Sequence, residues 1–143
     1  VYKYTIRNSK VPSPLQRRIA TVITADLDIL EMKKGASLYL GTHDFRKFSG
    51  PMKGEGFSSV RKILRSHLMK KNDILEYTIE GNAFLSHQVR RMVGALVDVG
   101  RGALTLDDLK QLIRGVGDSV AHSLPAQGLC LREVRYERFP PLI

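Results

Sequence analysis

The chain has 143 residues, enough for one domain that buries about two-thirds of the surface its unfolded form exposes. Its hydrophobic content of 43% supports an ordinary core, no apolar run reaches transmembrane length, and no secretory pattern opens it. The single cysteine, Cys130, excludes an internal disulfide and suits a reducing compartment, while the net charge of +9 points to an anionic partner.

The charge is lopsided. Residues 1–71 carry 15 Lys+Arg against 5 Asp+Glu, and residues 72–143 carry 8 against 9. That asymmetry suits one basic surface facing nucleic acid, an acidic protein or a membrane surface. Strand-like sequence begins at Val1, and the chain is expected to be a piece of a longer protein.

Val1–Arg7 alternates, with Tyr2, Tyr4 and Ile6 on one face and Lys3, Thr5 and Arg7 on the other, which predicts a strand. Residues Asn8–Arg18 hold Pro12 and Pro14 and read as a basic loop. Ile19–Ile23 is β-branched and predicts a short second strand. A helix should follow: Asp28 is a good N-cap, Glu31 completes a capping-box pattern, and Leu27 and Met32 stand at staple positions. Its apolar stripe is Ile29, Met32, Ala36, Tyr39 and Leu40, and Gly41 should end it.

Gly41–Ser59 reads as a long loop in which Phe45, Phe48 and Phe57 alternate with Arg46, Lys47 and Lys53. Basic and aromatic residues together suit phosphates and unstacked bases; equally, the rings could pin the loop to the core. His43 and Asp44 form a dipeptide seen at metal sites, but no second cluster stands at ligand spacing, so no metal is expected. Val60–Met69 and Ile74–Glu80 predict two strands joined by a turn at Lys70–Asp73, with Arg61, Arg65 and His67 sharing the alternation of Ile63 as a basic stripe.

The segment Gly81–Gly102, GNAFLSHQVRRMVGALVDVGRG, organises the rest. Val89, Met92, Val93, Leu96 and Val97 follow the spacing of a helix with one buried face. Arg90 falls on the edge of that stripe and Arg91 away from it, toward water. Arg90 either lies flat with its head in solvent, or aims a permanently charged fork at a carboxylate or phosphate. Gly94, one turn on, admits a close neighbour, and Gly100 with Gly102 should end the helix. Thr105 with Asp108 caps a third helix carrying Leu106, Leu109, Leu112 and Ile113, ended by Gly115. Residues 115–125 read as a loop. Gly128–Tyr136 predicts a last strand whose parity change between Leu131 and Val134 marks a bulge, and the prolines of RFPPLI stop the sheet. The fold expected is α+β, with a largely antiparallel sheet covered on one face by helices.

Four stretches together, YKY at Tyr2–Tyr4, LGTHDF at Leu40–Phe45, GNAFLSHQVRRMVGALVDVGRG and PAQGLCL at Pro125–Leu131, resemble the C-terminal half of TruA-type tRNA pseudouridine synthases. The resemblance covers nearly the whole chain, and the NAF-x-x-H-x-VR-x-x-VG pattern is its most specific part. It implies half of a pseudouridine synthase catalytic fold and an enzyme that isomerises uridine in tRNA, breaking the N1–C1′ bond and rejoining the base through C5. No metal or organic cofactor takes part. The target nucleotide is flipped out, and an aspartate acts as nucleophile.

Carried over by position, the resemblance makes Arg90 the catalytic partner of that aspartate, Tyr2 the residue stacked on the base, and Leu129 the apolar wall. The tRNA surface is expected to include His43, Arg46, Lys47, Lys53, Arg61, Arg65, His87 and Arg91. The family's aspartate belongs to a G-R-T-D-x-G motif that this sequence lacks; Asp26, Asp28, Asp44, Asp73, Asp98, Asp107, Asp108 and Asp118 all lie outside any such pattern. In the family that motif lies in an N-terminal half, before YKY. The 143 residues alone are therefore expected to bind RNA weakly and catalyse nothing. Partners implied are tRNA, the N-terminal half of the same enzyme and a second copy as a homodimer, with no membrane. The location implied is the cytoplasm, or the mitochondrion or nucleus in a eukaryote. The alternative is a non-catalytic basic α+β module that holds structured RNA.

Overall fold

The structure is a computed structural model that describes residues 1–10, 20–49, 58–85, 87–116 and 121–131. Lys53, Phe57, Asp118, the prolines at 12 and 14, and the predicted strand beyond Leu131 with its parity change lie outside the described residues.

The sheet is built on a long hairpin. β4 (Val60–Lys71) and β5 (Ile74–Gly81) pair antiparallel around a turn at Asn72 and Asp73. Asn72 takes φ 56°, which its short polar side chain tolerates. β5 alternates as a half-buried strand should, with Leu75, Tyr77 and Ile79 buried. β1 (Tyr2–Asn8) pairs antiparallel with it, and Tyr2, Tyr4 and Ile6 meet Ile79, Tyr77 and Leu75 across the ladder. These pairs make the apolar face onto which the helices pack.

On its other side β1 is shared by two short strands. β2 (Thr21–Ile23) pairs parallel with Ile6–Asn8, and β6 (Leu129–Leu131) pairs antiparallel with Tyr2–Tyr4. Across the described residues the sheet runs β2-β1-β5-β4-β3, with β6 beside β1, and only the β1–β2 pair is parallel. The expected α+β class and largely antiparallel sheet are what the structure has.

α1 (Ile29–Leu38) starts where predicted, with the Asp28 carboxylate accepting from Glu31 N at 3.2 Å. It ends earlier than predicted, at Leu38. Gly41 is not its terminator but opens β3 (Gly41–Asp44) at φ +96°. β3 corrects the long-loop reading: residues 41–44 pair antiparallel with Val60–Ile63 of β4. Leu40, expected in the apolar stripe, is exposed, because the chain has already left the helix. A 3₁₀ turn at Arg46–Phe48 follows, and Phe45 and Phe48 are fully buried around Tyr39, so these rings pin the segment to the core.

α2 (Gln88–Arg101) is the central helix, buried on more than the single face expected. Gly100 lies inside it rather than ending it. A Cβ there would stand 2.6 Å from Met32 Sδ, so the glycine lets α1 cross closely, and Gly102 at φ +82° makes the C-cap. α3 (Leu106–Ile113) has the full predicted capping box between Thr105 and Asp108 and buries Leu109, Leu112 and Ile113.

The predicted basic stripe is broken. The register of β4 shifts between Ile63 and Arg65, leaving Leu64 as an extra residue. Before the bulge Arg61 shares the parity of buried Ile63; after it Ser66 and Leu68 face the core while Arg65 and His67 face out. Arg61 therefore does not share a face with Arg65 and His67. The outward face is mixed in charge: Arg65 pairs across to Glu80, and Lys3 lies 2.7 Å from Glu76.

Tyr39 and Tyr77 are fully buried, and burial raises both hydroxyls well above the ordinary tyrosine range, the hydrogen bond with Ser66 opposing it at Tyr77. The folded chain thus holds these protons more tightly than the unfolded one. That stabilisation is complete below the ordinary value of 10.0 and is lost as pH rises through the folded values. Circular dichroism during alkaline titration should show unfolding only above about pH 10. The last tyrosinate absorbance should appear together with the loss of structure; early ionisation without unfolding would contradict this burial.

Candidate active site

A strap of chain, residues 121–125, lies along the N-terminal turns of α2. Arg90 and Leu124 are joined twice: Leu124 N donates to Arg90 O at 3.2 Å, and Arg90 Nε donates to Leu124 O at 2.7 Å. One turn on, a Cβ at Gly94 would stand 2.2 Å from His122 O, so only a glycine lets the strap lie so close. His122 Nδ1 meets Asp98 Oδ2 at 2.8 Å, and Ala121 N donates to Lys47 O at 3.1 Å. The strap is why α2 is buried on a second face.

Arg91 was expected to face water. It is instead part-buried, donating from Nη1 to Ala121 O at 2.6 Å, because the strap covers that side of the helix. Its Nε is buried with no hydrogen-bond partner among the described residues. Arg90 is half-buried at the margin of the stripe, as its spacing predicted. Its Nε is committed to Leu124 O, and among the described residues it forms no ion pair with a carboxylate.

The strap runs on into β6. Tyr4 OH donates to Pro125 O at 2.5 Å and stands 2.7 Å from Thr21 Oγ1. A carbonyl only accepts, so the Tyr4 proton points to Pro125 and Thr21 donates to the Tyr4 oxygen. Burial raises the Tyr4 hydroxyl above its ordinary value, against the Thr21 hydrogen bond and the nearby Arg90 charge. Arg90 Nε and Tyr4 OH bond the carbonyls of adjacent residues, Leu124 and Pro125, so Arg90 lies near the face of β1 that carries Tyr4 and, two residues back, Tyr2. A Cβ at Gly128 would stand 2.7 Å from Tyr4 Cε1, so the turn at Ala126–Gly128 sits directly on the tyrosine ring.

Leu129 is the cross-strand partner of Tyr4, on the same face, and is partly buried. Tyr2 is half-buried between Ile79 and Leu131, its ring edge-on to Phe84 with centroids 5.3 Å apart. β1 thus carries Tyr2 and sets Leu129 opposite Tyr4, whose hydroxyl bonds the carbonyl next to the one that Arg90 holds.

The residues expected on the tRNA surface are more scattered. Arg46 and Arg65 are exposed, and Lys47 is half-buried. Arg61 is tied to the local backbone: Nη1 donates to Ser58 O at 2.6 Å and Val60 O at 2.8 Å. A ring nitrogen of His43 bonds Leu40 O at 2.7 Å, and Asp44 Oδ1 receives Arg46 N at 3.1 Å and the Ser59 hydroxyl, so this dipeptide fastens the start of the basic turn. His87 is exposed in the left-handed region, φ 60°, immediately before α2. Lys53 lies outside the described residues.

Sequence reasoning missed Gln88, Thr21 and the strap. Fully buried Gln88 accepts from Leu85 N at 2.8 Å, capping the entry to α2. Its polar type just before an apolar stripe was the signal. Nothing local to Leu124 or His122 reveals their partners, which lie far back in the chain.

The fold and this cluster define an α+β domain with an arginine held rigid beside a tyrosine strand. The family model described as tRNA pseudouridine synthase matches residues 36–137, and the chain belongs to that family. A protein named tRNA pseudouridine synthase A from Acetivibrio thermocellus is 38% identical over 136 residues, covering 94% of this chain and 55% of its own. Proteins of the same name from Staphylococcus aureus and Citrifermentans bemidjiense are each 33% identical, covering 93% and 95% of this chain. The chain spans about half the length of the curated relatives it matches.

Gly94→Ala must push the strap off the helix, since the contact is with backbone and cannot swing aside. We expect a loss of about 1–3 kcal/mol in urea unfolding, the usual range for overpacking a tight contact. An alanine variant as stable as the parent would mean that the strap does not lie where the structure puts it.

Proposed function

We propose that this chain supplies part of the active site of a tRNA pseudouridine synthase, and that the whole enzyme isomerises specific uridines in tRNA. The single observation that carries the reading is Arg90, fixed at Nε by Leu124 O, next in the chain to the carbonyl that Tyr4 of β1 holds. Fixing Nε leaves the two terminal nitrogens for an end-on bidentate pair with a carboxylate, which would keep that group ionised and aimed. The family membership and the names of the relatives support the reaction class.

In this reading an aspartate, carried by a part of the enzyme outside these residues, attacks the flipped nucleoside and Arg90 holds it. Tyr2 stacks on the base, and Leu129 excludes water from one side. No metal or organic cofactor is required by this chemistry. Arg46, Lys47, Lys53, Arg65 and His87 contribute to the tRNA surface. Arg61 and Arg91 each spend Nη1 on backbone carbonyls and keep their positive charge for the phosphates. The enzyme works as a homodimer in a reducing compartment such as the cytoplasm, which suits a chain with one thiol.

Two measurements test this. Arg90→Lys in the full-length enzyme should lower kcat by about 10²–10³-fold with tRNA affinity nearly unchanged, because lysine cannot reproduce the fork. A phosphate-binding Arg90, the mark of a non-catalytic RNA module, would instead weaken tRNA binding and reduce its salt slope by about 1. The 143 residues alone, lacking the aspartate motif, should convert no uridine in tRNA when assayed for pseudouridine; turnover by them would place the nucleophile within this chain.

A further inference from the structure

Tyr4 is unused by the proposed reaction, yet it is fully buried and its hydroxyl makes two hydrogen bonds. Those bonds come from parts of the chain remote from each other, at separations of 17 and 121 residues. The carbonyl it holds, Pro125 O, is adjacent in the chain to the one held by Arg90 Nε, Leu124 O. Two successive peptide units, which meet at Pro125 Cα, are therefore gripped: one by the arginine from the helix, the next by the tyrosine from the sheet.

The grip has a direction. Because Thr21 donates to the Tyr4 oxygen, the Tyr4 proton has one acceptor left, Pro125 O. The Gly128 backbone rests on the ring, since a Cβ there would stand 2.7 Å from Tyr4 Cε1 and 2.8 Å from Tyr4 Cζ. The same strand pairing sets Leu129 opposite Tyr4. Remove the hydroxyl, and Pro125 O loses its donor while the ring and its packing stay. The pair of peptide units is then held from the helix side alone, and the guanidinium of Arg90 can rotate with it.

We propose that Tyr4 is a positioning residue: by holding Pro125 O it fixes Leu124 O, and thereby fixes the guanidinium of Arg90 for its carboxylate partner. The inference rests on the reading of Arg90 given above. It differs from a packing role, which the phenyl ring of a phenylalanine would fill equally well.

The test is Tyr4→Phe in the full-length enzyme. We expect kcat to fall about ten- to hundredfold with KM for tRNA unchanged, the scale of a misplacement of the order of an ångström. In a double-mutant cycle with Arg90→Lys the two losses should overlap, so that Tyr4→Phe costs little once the fork is gone. A second arm does not depend on turnover: the side-chain Nε–H of Arg90, followed by NMR hydrogen exchange in the ¹⁵N-arginine-labelled enzyme, should exchange faster in Tyr4→Phe. Unchanged exchange overturns the proposal, whether or not the enzyme is active. Losses that simply add with those of Arg90→Lys overturn it as well, and so does a kcat equal to the parent's. A parent enzyme that makes no pseudouridine would sink the catalytic reading of Arg90, leaving the exchange arm to judge whether Tyr4 fixes the arginine.

Discussion

The double link between Arg90 and Leu124 is the contact on which the rest depends. One side chain and one backbone group of α2 both bind the same strap residue, at 2.7 and 3.2 Å. An arginine fork is useful only if its orientation is set before its partner arrives, since a freely rotating side chain gives up much of the bond in ordering itself. Here the ordering is done by the fold, at Nε, leaving the terminal nitrogens for other work.

Several features of the sequence follow from keeping the strap against the helix. Gly94 leaves room for its backbone, Arg91 is turned inward to satisfy Ala121 O, and Asp98 is drawn to His122. Gly128 lets the next turn rest on Tyr4. The same strap reaches the basic turn through Lys47 O, so the loop that bears Arg46 and Lys47 and the helix that bears Arg90 share one support.

The signals read correctly from sequence were short in range. The Asp28 and Thr105 caps act over three residues, and the alternation in β1 and β5 acts over two. The helical margin at Arg90 follows from one turn of periodicity. The misreadings share a different cause. The bulge at Leu64 moved Arg65 and His67 to the other face because register belongs to a pair of strands, not to one. Arg91 was assigned to water because a helical wheel shows which residues share a face but not whether a second layer covers the opposite one. Residues 41–44 looked like loop because Gly and polar residues at an edge strand carry little apolar pattern.

The sequence by itself determined the charge balance, the elements and their caps, and the motif order by which the family is recognised, since each depends on neighbours a few residues apart. The tertiary structure alone decided which carbonyl holds Arg90, that Tyr4 grips the next one, and that β1 divides one edge between β2 and β6. The two hydrogen bonds span 34 and 121 residues, and no local preference specifies them. They arise because burying the helix and the strand leaves polar groups that must find partners in whatever chain is brought alongside.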